Sequence, residues 1–213
     1  MLFKLAAVLL LVSTIALLSA PVRAEDWLQA AQRDAASVAI PGEAAPDKPG
    51  RGWVDYEPVS RLFRAELPPT GWNAFEEEDA LGVVVRILGP DDPSGALRAS
   101  LTVRLVDRDS PAFIPAKDAI ESMRRSGPGR EASPVRPLRV GAGLARIFEV
   151  TEIRRVPVDT GPSALLDLHQ YVAVIPRGEA YYVVRLVSAR TNYLDLRDVF
   201  LGFLKSLKPI GAR

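Results

Sequence analysis

The chain has 213 residues, of which 27 are Lys or Arg, 26 are Asp or Glu, one is His and none is Cys. The lack of cysteine excludes disulfides, thiolate nucleophiles and Cys-ligated metal centres, and one histidine excludes sites that need two imidazoles. A formal net charge of +1 argues against a nucleic-acid-binding domain, which would be strongly basic. With 48% apolar residues, the chain has enough hydrophobic side chains to build a core.

Residues 1–24 have the pattern of a secretory signal peptide. Lys4 supplies the positive start, residues 5–18 are mostly apolar, and Val22 and Ala24 are the small residues expected before a cleavage site. The alternative is an uncleaved membrane anchor, for which the apolar stretch is short, because a span needs about 20 residues. We therefore expect an exported, periplasmic protein with no stable membrane anchor after cleavage, and keep full secretion to the medium as the alternative location.

The rest of the chain divides at a segment rich in proline and glycine. Residues 25–40 are predicted to form a short helix, and the sequence PGEAAPDKPGRG at 41–52 has the composition of a linker. These two segments form an N-terminal region, 25–52. The predicted folded domain is 53–213.

Strands dominate the predicted domain. They are predicted at 53–57, 62–67, 82–88, 97–106, 144–154, 164–175 and 180–189. Residues 97–106 alternate strictly between apolar and polar, so one face of that strand should meet a core. The last two strands are predicted to pair as a hairpin. Residues 127–143 and 157–163 are expected to be irregular.

Two helices complete the pattern. The first is predicted at 116–126, after Pro115, and the second at 193–207, where Asn192 is the expected N-cap and Asp195 part of a capping box. Strands outnumber helices, and most connections are too short for parallel crossovers. The sequence therefore predicts an α+β fold, a twisted antiparallel sheet flanked by helices.

Several segments together resemble one known family. Phe63 precedes the turn sequence LPPTGW at 67–72, the second hairpin arm contains YYVV at 181–184, and the closing helix ends in FLKSLKP at 203–209. These features resemble the PsbP-like family, which includes the extrinsic PsbP protein of photosystem II and bacterial envelope proteins of the DcrB type. The resemblance implies an α/β/α sandwich and a non-enzymatic accessory or scaffold protein. No residues match a photosystem-binding segment.

Few residues are candidates for chemistry. His169 lies on the same predicted strand face as Asp167, which would orient its ring, but a hydrolase also needs a nucleophile and the chain has no G-x-S-x-G sequence. A structural histidine is therefore favoured. The acidic runs 76–79 and 91–92 offer oxygen ligands without the spacing of a calcium loop, so solvated loops are favoured. The sequence GAGLAR at 141–146 lacks the following helix that a dinucleotide site needs. We predict no catalytic residue, metal or cofactor.

Arginines on two predicted strands and the segment between them form a candidate basic patch for an acidic protein or for lipid headgroups. They are Arg98, Arg104, Arg130, Arg136, Arg139, Arg146 and Arg154. A solvated surface balanced by acids is the favoured interpretation. Early aromatic residues are expected in core and edge packing rather than in a ligand platform. They are Trp53, Tyr56, Phe63, Trp72 and Phe75.

The leading hypothesis is an exported, non-catalytic accessory protein of the cell envelope that binds an unidentified protein partner through its sheet surface and loops. It would bind no nucleic acid and no cofactor. The second hypothesis is a periplasmic small-ligand-binding protein with a pocket between the sheet and the helix at 116–126. The third and least favoured is a hydrolase that uses His169.

Overall fold

A computed structural model describes residues 52–79, 82–110, 113–158 and 161–210. The predicted leader and N-terminal helix, and the linker up to residue 51, lie outside these residues. The strands are β1 (Val54–Tyr56), β2 (Phe63–Leu67), β3 (Asn73–Asp79), β4 (Gly82–Asp91), β5 (Arg98–Val106), β6 (Arg130–Ala132), β7 (Arg136–Val140), β8 (Gly143–Val158), β9 (Gly161–Arg177), β10 (Ala180–Ala189) and β11 (Lys208–Pro209). The helices are α1 (Ala116–Met123) and α2 (Tyr193–Ser206). In these ranges, no helix has the length and apolar character needed to cross a membrane.

Two antiparallel sheets organise the described residues. The larger has eight strands in the order β3-β4-β5-β10-β9-β8-β6, with β7 also paired to β8. The smaller sheet has the order β1-β2-β11. Every described strand pair is antiparallel. The predicted α+β fold with an antiparallel sheet flanked by helices is therefore confirmed.

The main core lies on one face of the larger sheet, beneath α2 and the smaller sheet. Alternate residues of β4, β5, β9 and β10 meet the apolar side of α2 there. Phe63 from β2 packs edge-on against Phe203 from α2, with ring centroids 5.8 Å apart. The Tyr182 hydroxyl at the base of this core donates a hydrogen bond to the Leu62 carbonyl, at 2.7 Å. The predicted apolar stripe of the last helix thus docks on the sheet as expected.

The opposite face of the sheet is covered only in part. Ala119 and Ile120 of α1 pack against Phe148, Val172 and Tyr181. An eight-residue helix is about 12 Å long. Among the described residues, no other helix lies on this face, so the part formed by the ends of β4, β5, β10, β9 and β8 remains open.

Several sequence predictions are wrong in detail. Residues 127–143, expected to be irregular, include β6 and β7, and residues 157–163, also expected to be a loop, belong largely to the ends of β8 and β9. The acidic run 76–79 is part of the edge strand β3 rather than a solvated loop. Charged residues are typical of edge strands because they oppose edge-to-edge association. Asn192 does precede α2, but its side chain forms no capping hydrogen bond.

Candidate functional site

Five arginines lie on the open part of the sheet. They are Arg86 on β4, Arg104 on β5, Arg130 on β6, Arg154 on β8 and Arg185 on β10. Strand register places them on one face, because directly paired residues point to the same side of a sheet. Thr102 pairs with both Arg86 and Arg185, and Arg130 pairs with Glu152, two residues from Arg154. We call these five residues the arginine face.

Acidic residues of the edge strand partly neutralise one end of the arginine face. Arg86 Nη2 lies 2.9 Å from Glu77 Oε2, and Arg104 forms a two-pronged ion pair with Asp79. Glu77 and Asp79, two carboxylates of the acidic run considered as a calcium site, are therefore paired with arginines. Across the described ranges, no group of three or more His, Cys, Asp or Glu side chains is arranged to hold a metal ion.

A pocket of about 390 Å³ lies at the other end of the arginine face. Its polar lining comprises Arg130, Glu152, Arg154, Gln170 and Arg185, and Leu168 and Val187 contribute apolar surface. It lies beside the Pro128–Arg130 segment that follows α1, not beneath the helix. The small-ligand hypothesis placed a pocket between α1 and the sheet, where apolar side chains instead pack directly together.

Glu152 is the single carboxylate of this pocket. Its Oε1 accepts a hydrogen bond of 2.9 Å from Gln170 Nε2 and lies 3.8 Å from Arg154 Nη1, while Oε2 pairs with Arg130. Arg130 also donates through Nε and Nη2 to the carbonyls of Arg125 and Met123. Bonds from Nε, Nη1 and Nη2 of Arg130 therefore attach the end of α1 to the sheet, which fixes the position of its charge beside the pocket.

Arg185 differs from the other four arginines. Its side chain forms no hydrogen bond or close ion pair with any residue in the described part of the chain, and the residue is exposed. Although the residue is exposed, protein atoms around the guanidinium exclude part of its water, and this desolvation lowers the pKa of the group; the charge of Glu152 opposes this, and the charges of Arg130, Arg154 and Arg86 lower the pKa further. The pocket thus contains an excess of positive charge that no described carboxylate neutralises.

His169 lies on the opposite face of the sheet and is only 4% exposed. Its ring stacks on Tyr193 at the start of α2, with centroids 4.1 Å apart. Nε2 lies 3.2 Å from Oε2 of Glu149, whereas Asp167, the predicted orienting residue, pairs with Arg190 at 3.5 Å. Burial lowers the pKa of the imidazole, and the charge of Glu149 offsets this only in part.

The surroundings of His169 favour a structural role. Ser188 is its cross-strand partner and is 1% exposed. Neither ring nitrogen of His169 nor the Ser188 hydroxyl has a hydrogen-bond partner of good geometry in the described part of the chain. The serine and the imidazole therefore form no activated pair, and α2 covers the ring. Nothing in this geometry supports the hydrolase hypothesis.

The predicted basic patch is brought together only in part. Arg104, Arg130 and Arg154 belong to the arginine face. Arg98 lies on the same side of β5 but at its far end, where it pairs with Asp91 at 3.3 Å, and Arg136 lies on β7. Arg139 is also on β7. Arg146, on β8, lies in the same row across the sheet as Arg104 and on the same side, but it does not line the pocket. The sequence analysis missed Arg86 and Arg185. Each is the single charged residue within an apolar run, GVVVRIL and YYVVRLV, which is the signal that marks them.

The remaining candidates are structural. Gly141 and Ala142 form the two-residue turn between β7 and β8, so the GAGLAR sequence enters a strand as expected. Phe63 is fully buried and Trp53, Tyr56 and Trp72 are half-buried, which confirms their predicted place in packing. Phe75 is 39% exposed on the edge strand.

No protein-family model matches the chain, and no curated protein sequence gives a significant match. Solved structures similar to it include cyanobacterial PsbP (CyanoP) from Synechocystis sp. PCC 6803, with 12% identity and a TM-score of 0.43 over 76% of this chain and 95% of that chain. LpqN, involved in cell envelope biogenesis of Mycobacterium tuberculosis, has 16% identity and a TM-score of 0.45 over 74% and 91%. The Saccharomyces cerevisiae Ran-binding protein Mog1p has 11% identity and a TM-score of 0.48 over 74% and 95%. A PsbP protein is thus among the structures to which this chain is similar, in agreement with the resemblance seen in the sequence.

Proposed function

We propose that this protein is an exported, non-catalytic binding protein whose arginine face holds an acidic segment of a partner protein. One observation supports this above all. Five arginines from five strands gather on the part of the sheet that α1 leaves open, and the carboxylates paired with them are Glu77, Asp79 and Glu152. These eight side chains have a surplus of positive charge, and acidic residues of a partner would neutralise it.

The spacing of the arginines suits an extended segment. Arg86 and Arg185 lie in one row across the sheet, separated by β5, so their backbones are two strand spacings or about 10 Å apart. In a polyproline II segment, which has three residues per turn and rises about 3.1 Å per residue, residues i and i+3 point to the same side and are about 9 Å apart. A segment crossing the strands with an acidic residue at every third position would therefore reach both arginines.

The interleaved carboxylates favour a protein segment over an anionic membrane. Glu77, Asp79 and Glu152 lie among the arginines and would repel a surface of uniform negative charge. A segment with separated acidic side chains can contact the arginines and avoid the carboxylates. This is the kind of charge complementarity that sets register and specificity in protein interfaces.

The proposal is tested by binding of a dye-labelled peptide with Asp at every third position, followed by fluorescence anisotropy. We expect the double variant Arg86→Gln/Arg185→Gln to bind about tenfold more weakly, since two exposed charge contacts are each worth about 0.7 kcal/mol. The matched control is Arg64→Gln/Arg108→Gln, which removes two arginines that are exposed and paired elsewhere. Binding should also weaken as salt is raised.

Three results would contradict the proposal. The peptide fails to bind, both double variants bind it equally well, or vesicles of an anionic lipid bind better than the peptide. The last outcome would assign the arginine face to a membrane surface instead. A neutral peptide with Asn at the same positions should not bind, and this separates charge recognition from general adhesion to the sheet.

A further inference from the structure

The pocket beside Arg185 has features that the arginine face as a whole does not share. Leu168 and Val187 contribute apolar surface to it, and Gln170, which also lines it, is 5% exposed. Its volume, about 390 Å³, suits a small molecule or one headgroup rather than a peptide strand. Side chains around it come from four strands of the sheet, so their positions are fixed by the strand pairing.

Charge in the pocket indicates the kind of ligand. Three arginines, Arg130, Arg154 and Arg185, face one carboxylate, Glu152, so the lining has two more positive charges than negative ones. A carboxylate ligand would neutralise one of these charges. A phosphate monoester, with a charge close to −2 at neutral pH, would neutralise both.

Free hydrogen-bond donors are available in the same place. All the described bonds of Arg130 go to the protein, but Arg185 has no described partner and Arg154 has only the 3.8 Å contact with Glu152. Guanidinium groups bind phosphate oxygens with two parallel hydrogen bonds. Both oxygens of Glu152 are already engaged, Oε2 by Arg130 and Oε1 by Gln170.

We propose that this pocket is a binding site for a phosphate monoester, with Arg185 and Arg154 as donors to its oxygens and Arg130 as a fixed neighbouring charge. The site does not depend on the proposed acidic partner. The phosphate is that of a free small molecule or of a lipid headgroup, and the chemistry of the pocket is the same for both.

The test is isothermal titration calorimetry of the purified protein with glycerol 1-phosphate and with acetate. We expect glycerol 1-phosphate to bind at one site and acetate to bind at least about tenfold more weakly. Vesicles containing phosphatidate form a second arm: binding to both probes assigns a headgroup, and binding to glycerol 1-phosphate alone assigns a free molecule. Absence of binding to both phosphate probes, or equal affinity for acetate, would overturn the inference.

Two variants with opposite expected effects on affinity distinguish a change in the pocket from a loss of folded protein. Arg185→Gln should weaken binding of glycerol 1-phosphate by about tenfold or more, the effect of losing a charged hydrogen-bond donor. Glu152→Gln removes the one opposing charge and should strengthen binding several-fold, which a damaged fold cannot do. Arg108→Gln, distant from the pocket, should change affinity less than twofold. Failure of either pocket variant to shift affinity in its stated direction would overturn the assignment.

The two proposals fail separately. A protein that binds the acidic peptide but no phosphate monoester retains its proposed function and loses this site. A protein that binds glycerol 1-phosphate but not the peptide keeps the site and loses the proposed function.

Discussion

A methyl group at Gly141 would disturb the place where the turn between β7 and β8 meets the end of α2. A Cβ atom there would lie 2.4 Å from the Lys205 carbonyl oxygen and 2.8 Å from the Leu207 carbonyl oxygen. Both are backbone atoms, so no side-chain rotation relieves the contact. The Gly141 N–H also donates to the Leu204 carbonyl at 3.3 Å, and a shift of the turn would weaken this bond.

The expected cost of Gly141→Ala follows from these contacts. Overpacking costs about 1–3 kcal/mol, and a weakened hydrogen bond adds about 1 kcal/mol. We therefore expect the free energy of unfolding to fall by about 2–4 kcal/mol. Urea unfolding followed by tryptophan fluorescence measures this change. With a slope of about 2 kcal/mol/M, the midpoint should fall by about 1–2 M.

Gly127→Ala is the matched control. A Cβ atom at Gly127 meets no heavy atom within 4 Å, so this variant should unfold within about 0.5 kcal/mol of the parent protein. If Gly141→Ala has the same midpoint as Gly127→Ala, the turn does not press against α2, and the packing described for this end of the sheet is incorrect.

Two further predictions concern buried polar groups. Tyr182→Phe removes a hydroxyl that donates a hydrogen bond to the Leu62 carbonyl and accepts one from Arg177, each at 2.7 Å. We expect the free energy of unfolding to fall by about 1–3 kcal/mol in the same urea assay. An unchanged midpoint would contradict this. Burial lowers the pKa of His169 in the folded state, so the imidazole of the unfolded state becomes protonated at a higher pH than that of the folded state. The free energy of unfolding should therefore fall as the pH drops below about 6.5 and level off below the folded-state pKa. His169→Gln should reduce this slope between pH 7 and 5, and identical slopes for both proteins would contradict the assignment of the slope to His169.

Local periodicity in the sequence is sufficient to predict the elements that bury one continuous apolar face. The alternating strand β5, the hairpin of β9 and β10, and the stripe of α2 were all predicted, because each has an apolar pattern with a period of its own. The strands β3, β6 and β7 have no such pattern: their sequences are NAFEEED, REA and RPLRV. They become strands by pairing with β4 and β8, and a pairing partner is not visible in a segment's own sequence.

The same distinction explains the arginine face. Alternation assigns Arg104 and Arg154 to the polar sides of their strands, and this could be predicted from the sequence. It does not say that β5 pairs with β10, or that β6 brings Arg130 opposite Glu152. Arg86 and Arg185 were missed because each interrupts an apolar run. Only the strand order shows that both point to the side that α1 leaves open.

Arg185 is also the residue that distinguishes a surface that only contacts water from a surface that binds a ligand. An antiparallel sheet can expose one face to water, and Thr at such a position would satisfy that requirement without adding a positive charge. Arg86, Arg104 and Arg130 are matched by carboxylates, as expected where arginines serve solubility and strand pairing. Arg185 shares its pocket with Arg130 and Arg154 and has no paired acid of its own, and repulsion between these like charges costs free energy in the isolated protein. A bound anion would remove that cost, because it supplies the missing negative charge and accepts the free hydrogen bonds.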